Sequence, residues 1–335
     1  MSKLKTLSFF TALSTISTAV FAALQTVNIY TEEFFGADWG PGNEVKQLFE
    51  QANSQCAVSY QVFDNRNTMF NRLRLEGKKT VADVVIGLDN FQKEVAHQSG
   101  LFAKTQVDLT ALSLPFEWQD QTFIPYEFGQ FAFIYDKTKL TNPPKTLKEL
   151  VERQDLRVIY QDPRTSSMGR GFLVWLNLAY PQQQTEQAWK TLAKHTVTVG
   201  KGWTETYGAF LKGESDLVFS HSTSPIYHLL KDKTDQYVAT DFTDGAVYQV
   251  DTIAKINKPQ VNECADKFIQ FMVSPQAQQV LIPKNVMLSV SSAKIEPHFD
   301  ALKAHQFNVQ ALDTEKVSNE NIKSWTEKWQ AVLSQ

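Results

Sequence analysis

Two predicted strands, over residues 157–160 and 216–220, are each followed by polar loops that open a predicted helix. Five residues of these loops that each carry a hydroxyl group are Ser166, Ser167, Ser222, Thr223 and Ser224. The first amides of a helix have no partners within it and carry the positive end of its dipole. We therefore expect the loops to bind an anion. The alternative is that Ser166 or Ser167 only caps its helix.

Other residues that could do chemistry are scattered along the chain. The sequence contains no P-loop, zincin or nucleophile-elbow motif, and its Gly-x-Gly segment lacks the third glycine of a dinucleotide fingerprint. His221 and His228 lie near one another, and we interpret them as a site residue and a surface residue rather than as metal ligands. Neither Cys56 nor Cys264 has the electropositive neighbours of a nucleophile. We predict no enzyme activity, no metal and no cofactor.

Apolar strands alternate with amphipathic helices along the chain. The predicted strands are 27–30, 58–63, 82–87, 131–135, 157–160 and 216–220, and the predicted helices are 41–52, 68–76, 146–152, 166–180 and 325–333. This alternation predicts an α/β fold with parallel sheets and right-handed crossovers. Ligands of such sheets bind beyond the carboxyl ends of the strands, at 30–42, 64–67 and 88–90 in the first sheet.

The start of the chain reads as a signal peptide over residues 1–22, with Lys3 and Lys5 before an apolar stretch and a cut near Ala23. A membrane anchor is the alternative, but the apolar run is short for a bilayer of about 30 Å. The remaining length predicts two domains. A net charge of −3 without a basic cluster gives no indication of nucleic-acid binding. For Cys56 and Cys264 we favour two separate thiols and leave a disulfide as the alternative.

Several motifs occur together and in order between residues 27 and 287. They lie at 37–42, 71–78, 82–85, 87–90, 158–166, 201–203, 210–218, 223–225 and 271–275. In these segments the chain closely resembles the thiamine-binding periplasmic proteins of ABC importers.

The resemblance implies the type II periplasmic-binding-protein fold, with two lobes that each hold a mixed, mainly parallel sheet flanked by helices. It implies a ligand in the cleft between lobes, a periplasmic monomer, and an ABC permease and ATPase as partners. We expect one lobe over 24–121 plus 249–304, a second over 122–248, and C-terminal helices over 305–335 packed on the lobes. Strands near 123–126 and 248–252 would form the hinge.

The resemblance also implies a set of ligand-binding residues. Positions that match or keep a hydroxyl are Ser166, Ser167, Trp203, Ser222, Thr223, Ser224 and Tyr227. Four positions depart: Glu32 and His221 each stand where the family has a tyrosine, Asn65-Arg66 where it has Asp-Gly, and Val286 where it has a tryptophan. Aromatic faces and an acid hold a cation such as a thiazolium, so these departures weaken the case for thiamine.

The residues at the positions that differ from the family favour a phosphorylated pyridine such as pyridoxal 5′-phosphate. We expect His221 to donate to the phosphate or phenolate, Glu32 to pair with the ring nitrogen and Arg66 to reach an anion. In the alternative, Glu32 and Arg66 point to solvent and Asp64 takes the place of the family's aspartate. Thiamine or its phosphates is the second candidate ligand, and a ferric ion is a distant third because the chain has no adjacent tyrosine pair.

Overall fold

The computed structural model describes residues 24–260 and 262–334. The predicted signal peptide lies outside this range. The first sheet contains β1 (Gln25–Glu32), β2 (Cys56–Phe63) and β3 (Val84–Asp89), which run parallel in the order β2-β1-β3. The connecting helices are α2 (Gly42–Ala52) and α3 (Arg66–Glu76). The predicted parallel sheet is therefore confirmed, although β3 extends to Asp89 through a segment predicted as a loop.

The second sheet repeats this arrangement. Its parallel strands are β6 (Val158–Gln161), β7 (Thr196–Gly200) and β8 (Leu217–His221), in the order β8-β6-β7. The helices between them are α6 (Ser167–Ala179), α7 (Thr185–Ala193) and α8 (Trp203–Leu211). The long helix predicted after the first hydroxyl loop is thus present, and it begins at Ser167.

Two antiparallel strands join the sheets. The 14-residue strand β5 (Phe123–Asp136) pairs with β10 (Tyr248–Ile256) through residues 123–130 and with β8 through residues 131–135. A single strand therefore belongs to both sheets, and the change occurs between Gln130 and Phe131. The proposed boundary of the lobes at residue 122 stays a prediction.

Each sheet has an apolar core of its own. Phe35, Phe49, Phe128 and Phe268 are among the buried residues of the first, and Phe133, Phe172, Trp175 and Phe219 are among those of the second. Apart from three short 3-10 helices (Gly77–Lys79, Leu109–Ala111 and Gln182–Gln184), the remaining elements are α1 (Glu33–Gly36), α4 (Lys93–Gln98), β4 (Phe102–Ala103), α5 (Leu147–Glu152), α9 (Ser224–Tyr227), a π-helical turn (His228–Asp232), β9 (Tyr237–Ala239), α10 (Glu263–Met272), α11 (Pro275–Asn285), β11 (Leu288–Ser289), α12 (Pro297–Gln306) and α13 (Asn319–Leu333).

The C-terminal helix α13 closes over the second sheet. The indole Nε1 of Trp329 on this helix donates a hydrogen bond of 3.1 Å to the hydroxyl of Tyr160 on β6. Both side chains are buried. Within the residues described, none of the helices has the length and apolarity needed to cross a membrane.

A disulfide bond links the start of β2 to helix α10. It joins Cys56 to Cys264, whose Cα atoms lie 5.7 Å apart, and it spans 208 residues of sequence. The expectation of two separate thiols is therefore wrong. The two cysteines meet because α10 packs under the first sheet. No local sequence pattern predicts this contact.

Candidate functional site

The topology of each sheet places a crevice at the carboxyl ends of two neighbouring strands. In the first sheet the chain leaves β1 for β2 on one side and then crosses to β3 on the other. In the second sheet β7 and β8 flank β6 in the same way. Ligands of open α/β sheets bind at such switch points. Glu32 and Asp89 end the strands at the first crevice, and Gln161 and His221 end those at the second.

A buried group of charges fills the first crevice. The Arg66 guanidinium donates to Glu32 Oε1 at 2.8 Å through Nη2, and its Nη1 donates to Asp89 Oδ2 at 3.0 Å and to Asp251 Oδ1 at 2.8 Å. All four side chains are buried, and Asp89 is completely inaccessible to solvent. We call Glu32, Arg66, Asp89 and Asp251 the acid cluster.

The fold explains why Arg66 reaches three carboxylates. Arg66 is the first residue of α3, and the Asn65 carboxamide caps this helix by accepting a hydrogen bond of 2.9 Å from the Thr68 amide. The cap fixes the start of the helix beside the ends of β1 and β3. Asp251 comes from β10, the strand next to β3.

The acid cluster has two polar neighbours in the same pair of antiparallel strands. The Gln249 amide Nε2 donates to both carboxylate oxygens of Asp251, at 3.1 and 3.0 Å. Glu127 lies opposite Asp251 on β5, and the Asn285 amide donates to both of its oxygens, at 3.0 and 2.9 Å. The Gln249 Oε1 atom has no hydrogen-bond partner.

Burial dominates the ionisation of these carboxyls. It raises the pKa of Glu32 and of Asp89, while the Arg66 guanidinium acts in the opposite direction on both. Burial and the charge of Asp251 hold the pKa of Glu127 well above its usual range. The first crevice is therefore rich in carboxyl groups that favour either a proton or a nearby cation.

The second crevice carries the hydroxyl groups. Ser166 caps α6 through a long bond of 3.4 Å from the Gly169 amide to its Oγ, and Ser167 is the first residue of that helix. Ser222 and Thr223 follow β8, and both of their hydroxyls are buried without a hydrogen-bond partner. The helix start and the two hydroxyls provide donors for an anionic or hydroxyl-bearing group.

Trp203 is held beside these hydroxyls by a chain of contacts. Its Nε1 donates to the Ser220 Oγ at 2.8 Å, and that hydroxyl lies 2.7 Å from the Ser224 Oγ. The Trp203 ring stacks on Tyr207, with centroids 4.7 Å apart and planes at 26°. Tyr227, in contrast, is about half exposed at the end of α9.

His221 lies between the two crevices. Its ring stacks on Phe131 at a centroid distance of 5.2 Å and is partly buried. Burial lowers its pKa to about 4, and the Arg66 charge adds to this effect. His221 is therefore neutral at pH 7, and its Nε2 has no hydrogen-bond partner. The Gln249 side chain raises the His221 pKa and the Arg66 charge lowers it, so the ring at the end of β8 lies close to residues of the first crevice.

Comparison with known proteins identifies the family of the chain. Residues 44–283 match the family described as bacterial extracellular solute-binding protein. The chain belongs to this family. It is similar to the thiamine-binding periplasmic protein of Haemophilus influenzae, with 55% identity over 96% of this chain and 98% of the relative. It is also similar to the protein of that name from Escherichia coli, with 44% identity over 95% and 97% of the two chains.

Solved structures of solute-binding proteins share the fold. A structure titled periplasmic thiamin binding protein has a TM-score of 0.79 and 43% identity, covering 92% of this chain and 96% of that one. A ferric binding protein from Campylobacter jejuni has a TM-score of 0.72 at 17% identity, covering 91% and 99%, which shows a likeness of fold alone. In the described ranges, no group of three or more His, Cys, Asp or Glu side chains is arranged to hold a metal ion.

The geometry of this solute-binding protein corrects several expectations about single residues. Arg66 does not extend toward an anion, because three carboxylates already surround it. Nor do Glu32 and Arg66 point to solvent, since both are buried. Asn65 is exposed and serves as a helix cap. His228 is not a surface residue: it is buried, with its Nε2 3.0 Å from the Tyr207 hydroxyl.

Sequence reasoning missed part of the site. Asp89 falls in the segment 88–90, which the sequence predicts as a ligand-binding strand end, but Gln249 and Asp251 were not expected at the site. All three belong to the hydrogen-bond network at the first crevice. A signal for two of them exists, because Gln249 and Asp251 alternate with apolar residues in β10 and so share one face of a strand that is buried almost throughout. Polar residues on a buried strand face require partners. Val286 stands where the family has a tryptophan. It follows the last residue of α11, and its backbone lies in the left-handed region at φ 54°.

Proposed function

We propose that the protein is the periplasmic substrate-binding component of an ABC importer and that it captures thiamine or a phosphate ester of thiamine. The observation that carries the proposal is the two-sided cleft. Three buried carboxylates with one guanidinium stand on one side, and a helix start with unpartnered hydroxyls stands on the other. Thiamine has a permanent cation at one end of its thiazolium ring and an alcohol, or its phosphate, on the other.

The carboxylate side suits the cation. The charges in the acid cluster do not balance, and an excess of negative charge in a buried place attracts a cation more strongly than the same charge in water would. Trp203 adds an aromatic face beside the hydroxyls. The hydroxyl side suits the alcohol or phosphate, to which Ser166, Ser167, Ser222, Thr223 and Ser224 would donate.

The structure gives less support to pyridoxal 5′-phosphate, the ligand favoured by the residues that differ from the family. That prediction relies on Arg66 to meet an anion and on His221 to strengthen the bond to phosphate. Arg66 is ion-paired with carboxylates, and His221 carries no charge at pH 7. The relatives at 55% and 44% identity are also named for thiamine. The alternative ligand is therefore the better supported one.

The remaining parts of the proposal follow from the same assignment. A signal peptide over 1–22 would direct a monomeric protein to the periplasm, where it would deliver its ligand to a membrane permease driven by an ATPase. The lobes over 24–121 plus 249–304 and over 122–248 would close on the ligand about β5 and β10, with the C-terminal helices over 305–335 outside. The protein would need no cofactor and would release the vitamin chemically unchanged.

Titration calorimetry tests the proposal. Protein that has been unfolded, dialysed and refolded is titrated with thiamine, thiamine monophosphate, thiamine diphosphate, pyridoxal and pyridoxal 5′-phosphate. We expect the thiamine compounds to bind and the pyridoxal compounds to bind at least tenfold more weakly. Tight binding of pyridoxal 5′-phosphate together with no response to any thiamine compound would refute the assignment. Native mass spectrometry of protein purified without refolding provides a second, unbiased readout of the ligand.

A further inference from the structure

The acid cluster contains more negative than positive charge. Glu32, Asp89 and Asp251 surround a single guanidinium, that of Arg66, and every one of these residues is at most 8% exposed. Ionised carboxylates removed from water are stable only when a cation or several donors compensate them. One guanidinium cannot compensate three carboxylates, so the cluster must contain a proton or recruit a cation.

The groups that face the cluster from the surrounding elements do not restore the balance. Arg170 on α6 acts on Asp89 from the opposite sheet, and Glu127 on β5 adds a further carboxyl. His221 on β8 is neutral, and the Tyr126 hydroxyl, whose pKa burial holds well above its usual range, is neutral too. Even with Arg170 included, carboxyl groups outnumber guanidinium groups.

Unpartnered acceptors beside the cluster indicate that a ligand belongs there. The Gln249 Oε1 has no partner although the Nε2 of the same amide bonds Asp251, and Gln249 is 4% exposed. The His221 Nε2, whose ring lies within range of the Arg66 charge, has no partner either. Buried polar atoms without a partner are uncommon in native proteins. Together with the carboxylates they form an acceptor surface for a group that brings positive charge or donors.

We propose that the acid cluster holds a proton while the cleft contains no cation and releases it when a cationic ligand enters, so that ligand capture is coupled to proton release. Glu32 is the carboxyl that exchanges the proton, because it ends β1 at the crevice and its one bond from Arg66 uses Oε1 alone. In the absence of ligand the proton neutralises Glu32. When the ligand binds, its cation compensates the negative charge of the ionised Glu32 in place of the proton. The inference rests on the proposed function for the nature of the cation.

The sign of the pH dependence follows directly. A ligand that expels a proton binds more tightly as the pH rises, and protons compete with it as the pH falls. At neutral pH we expect the association constant for thiamine to rise with pH, by up to about tenfold per pH unit if one proton is released. A neutral analogue, in which an uncharged ring replaces the thiazolium, leaves the proton in place and shows no such slope.

Calorimetry of thiamine binding measures the released protons. The observed enthalpy is determined at pH 7 in phosphate, HEPES and Tris, and its slope against the ionisation enthalpy of the buffer gives the number of protons. We expect a measurable release in the unmodified protein and none in Glu32→Gln, which imitates the protonated carboxyl, while Asp89→Asn reports on the neighbouring carboxyl. Glu76→Gln is the matched control: Glu76 lies at the end of α3, accepts a bond of 2.9 Å from the Tyr30 hydroxyl, and should leave the slope unchanged.

The outcomes separate the inference from the proposed function. Thiamine binding with a zero slope overturns proton coupling and leaves the function intact. Failure of thiamine to bind refutes the function, and infrared spectroscopy of the ligand-free protein at pH 7 still decides the inference. The difference spectrum between the unmodified protein and Glu32→Gln should contain a protonated carboxylic-acid band, and its absence would overturn the proposal.

Discussion

Replacing Arg66 by methionine tests how the acid cluster contributes to stability. Methionine keeps most of the aliphatic stem but removes the guanidinium that makes three bonds of 2.8 to 3.0 Å. Removal of one partner from a buried ion pair costs about 3–5 kcal/mol, because the remaining charge stays buried without compensation. We therefore expect the free energy of unfolding at pH 7 to fall by about this amount.

The pH dependence of the loss identifies its cause. Without Arg66 the pKa values of Glu32 and Asp89 in the folded state rise further above those in the unfolded chain. Stability from such groups is fully present at low pH and is lost as the pH rises through the folded-state pKa. The destabilisation should therefore be larger at pH 8 than at pH 5.

Urea unfolding followed by circular dichroism at both pH values provides the measurement. The control is Arg72→Met on the same helix, since Arg72 is exposed and pairs with Glu76 one turn away. Exposed pairs of this type contribute less than about 1 kcal/mol. A loss in Arg66→Met that is no larger than in Arg72→Met, or that is the same at pH 5 and pH 8, would refute the reasoning.

Three further predictions concern other parts of the molecule. The double variant of Ser222→Ala and Thr223→Ala should weaken binding of thiamine monophosphate by more than tenfold in calorimetry, since each hydroxyl bond to a charged group contributes about 1.5–3 kcal/mol; equal affinity would mean that the loop does not touch the ligand. Serine at both Cys56 and Cys264 should lower the free energy of unfolding by about 2–4 kcal/mol, and a reducing agent should affect only the unmodified protein. His221, with a pKa of about 4 in the folded state against about 6.5 unfolded, should make stability fall as the pH drops below about 6.5; a His221→Gln variant that shows the same pH dependence would contradict this.

Much of the fold follows from periodic sequence patterns. The alternation of strands and helices predicts both parallel sheets, and the residues 82–87 predict β3 to within two residues at each end. The hydroxyl loops were found because they follow strands and precede helices. These features are local, and local propensity and hydrophobic spacing determine them.

The acid cluster is not local, and this explains why it was only partly predicted. The partners of Arg66 lie 34, 23 and 185 residues away in sequence. An arginine at the start of an amphipathic helix looks like a solvent-exposed residue, and only the packing of α3 against three strand ends buries it. His228 was misjudged for a similar reason, because the π-helical turn that buries it has no recognisable sequence pattern.

The order in which the strands are synthesised affects how the first sheet assembles. The strand β3 is buried along its whole length, yet its neighbour β10 is made only after the entire second sheet. Until residue 256 has emerged, the growing chain presents β3 as an open apolar edge, which can pair with another chain. The disulfide bond of Cys56 can form only later still, because its partner Cys264 follows β10 in the sequence. Until residues 248–264 have emerged, the newly made protein is therefore most vulnerable to aggregation and to disulfide bonds with other chains.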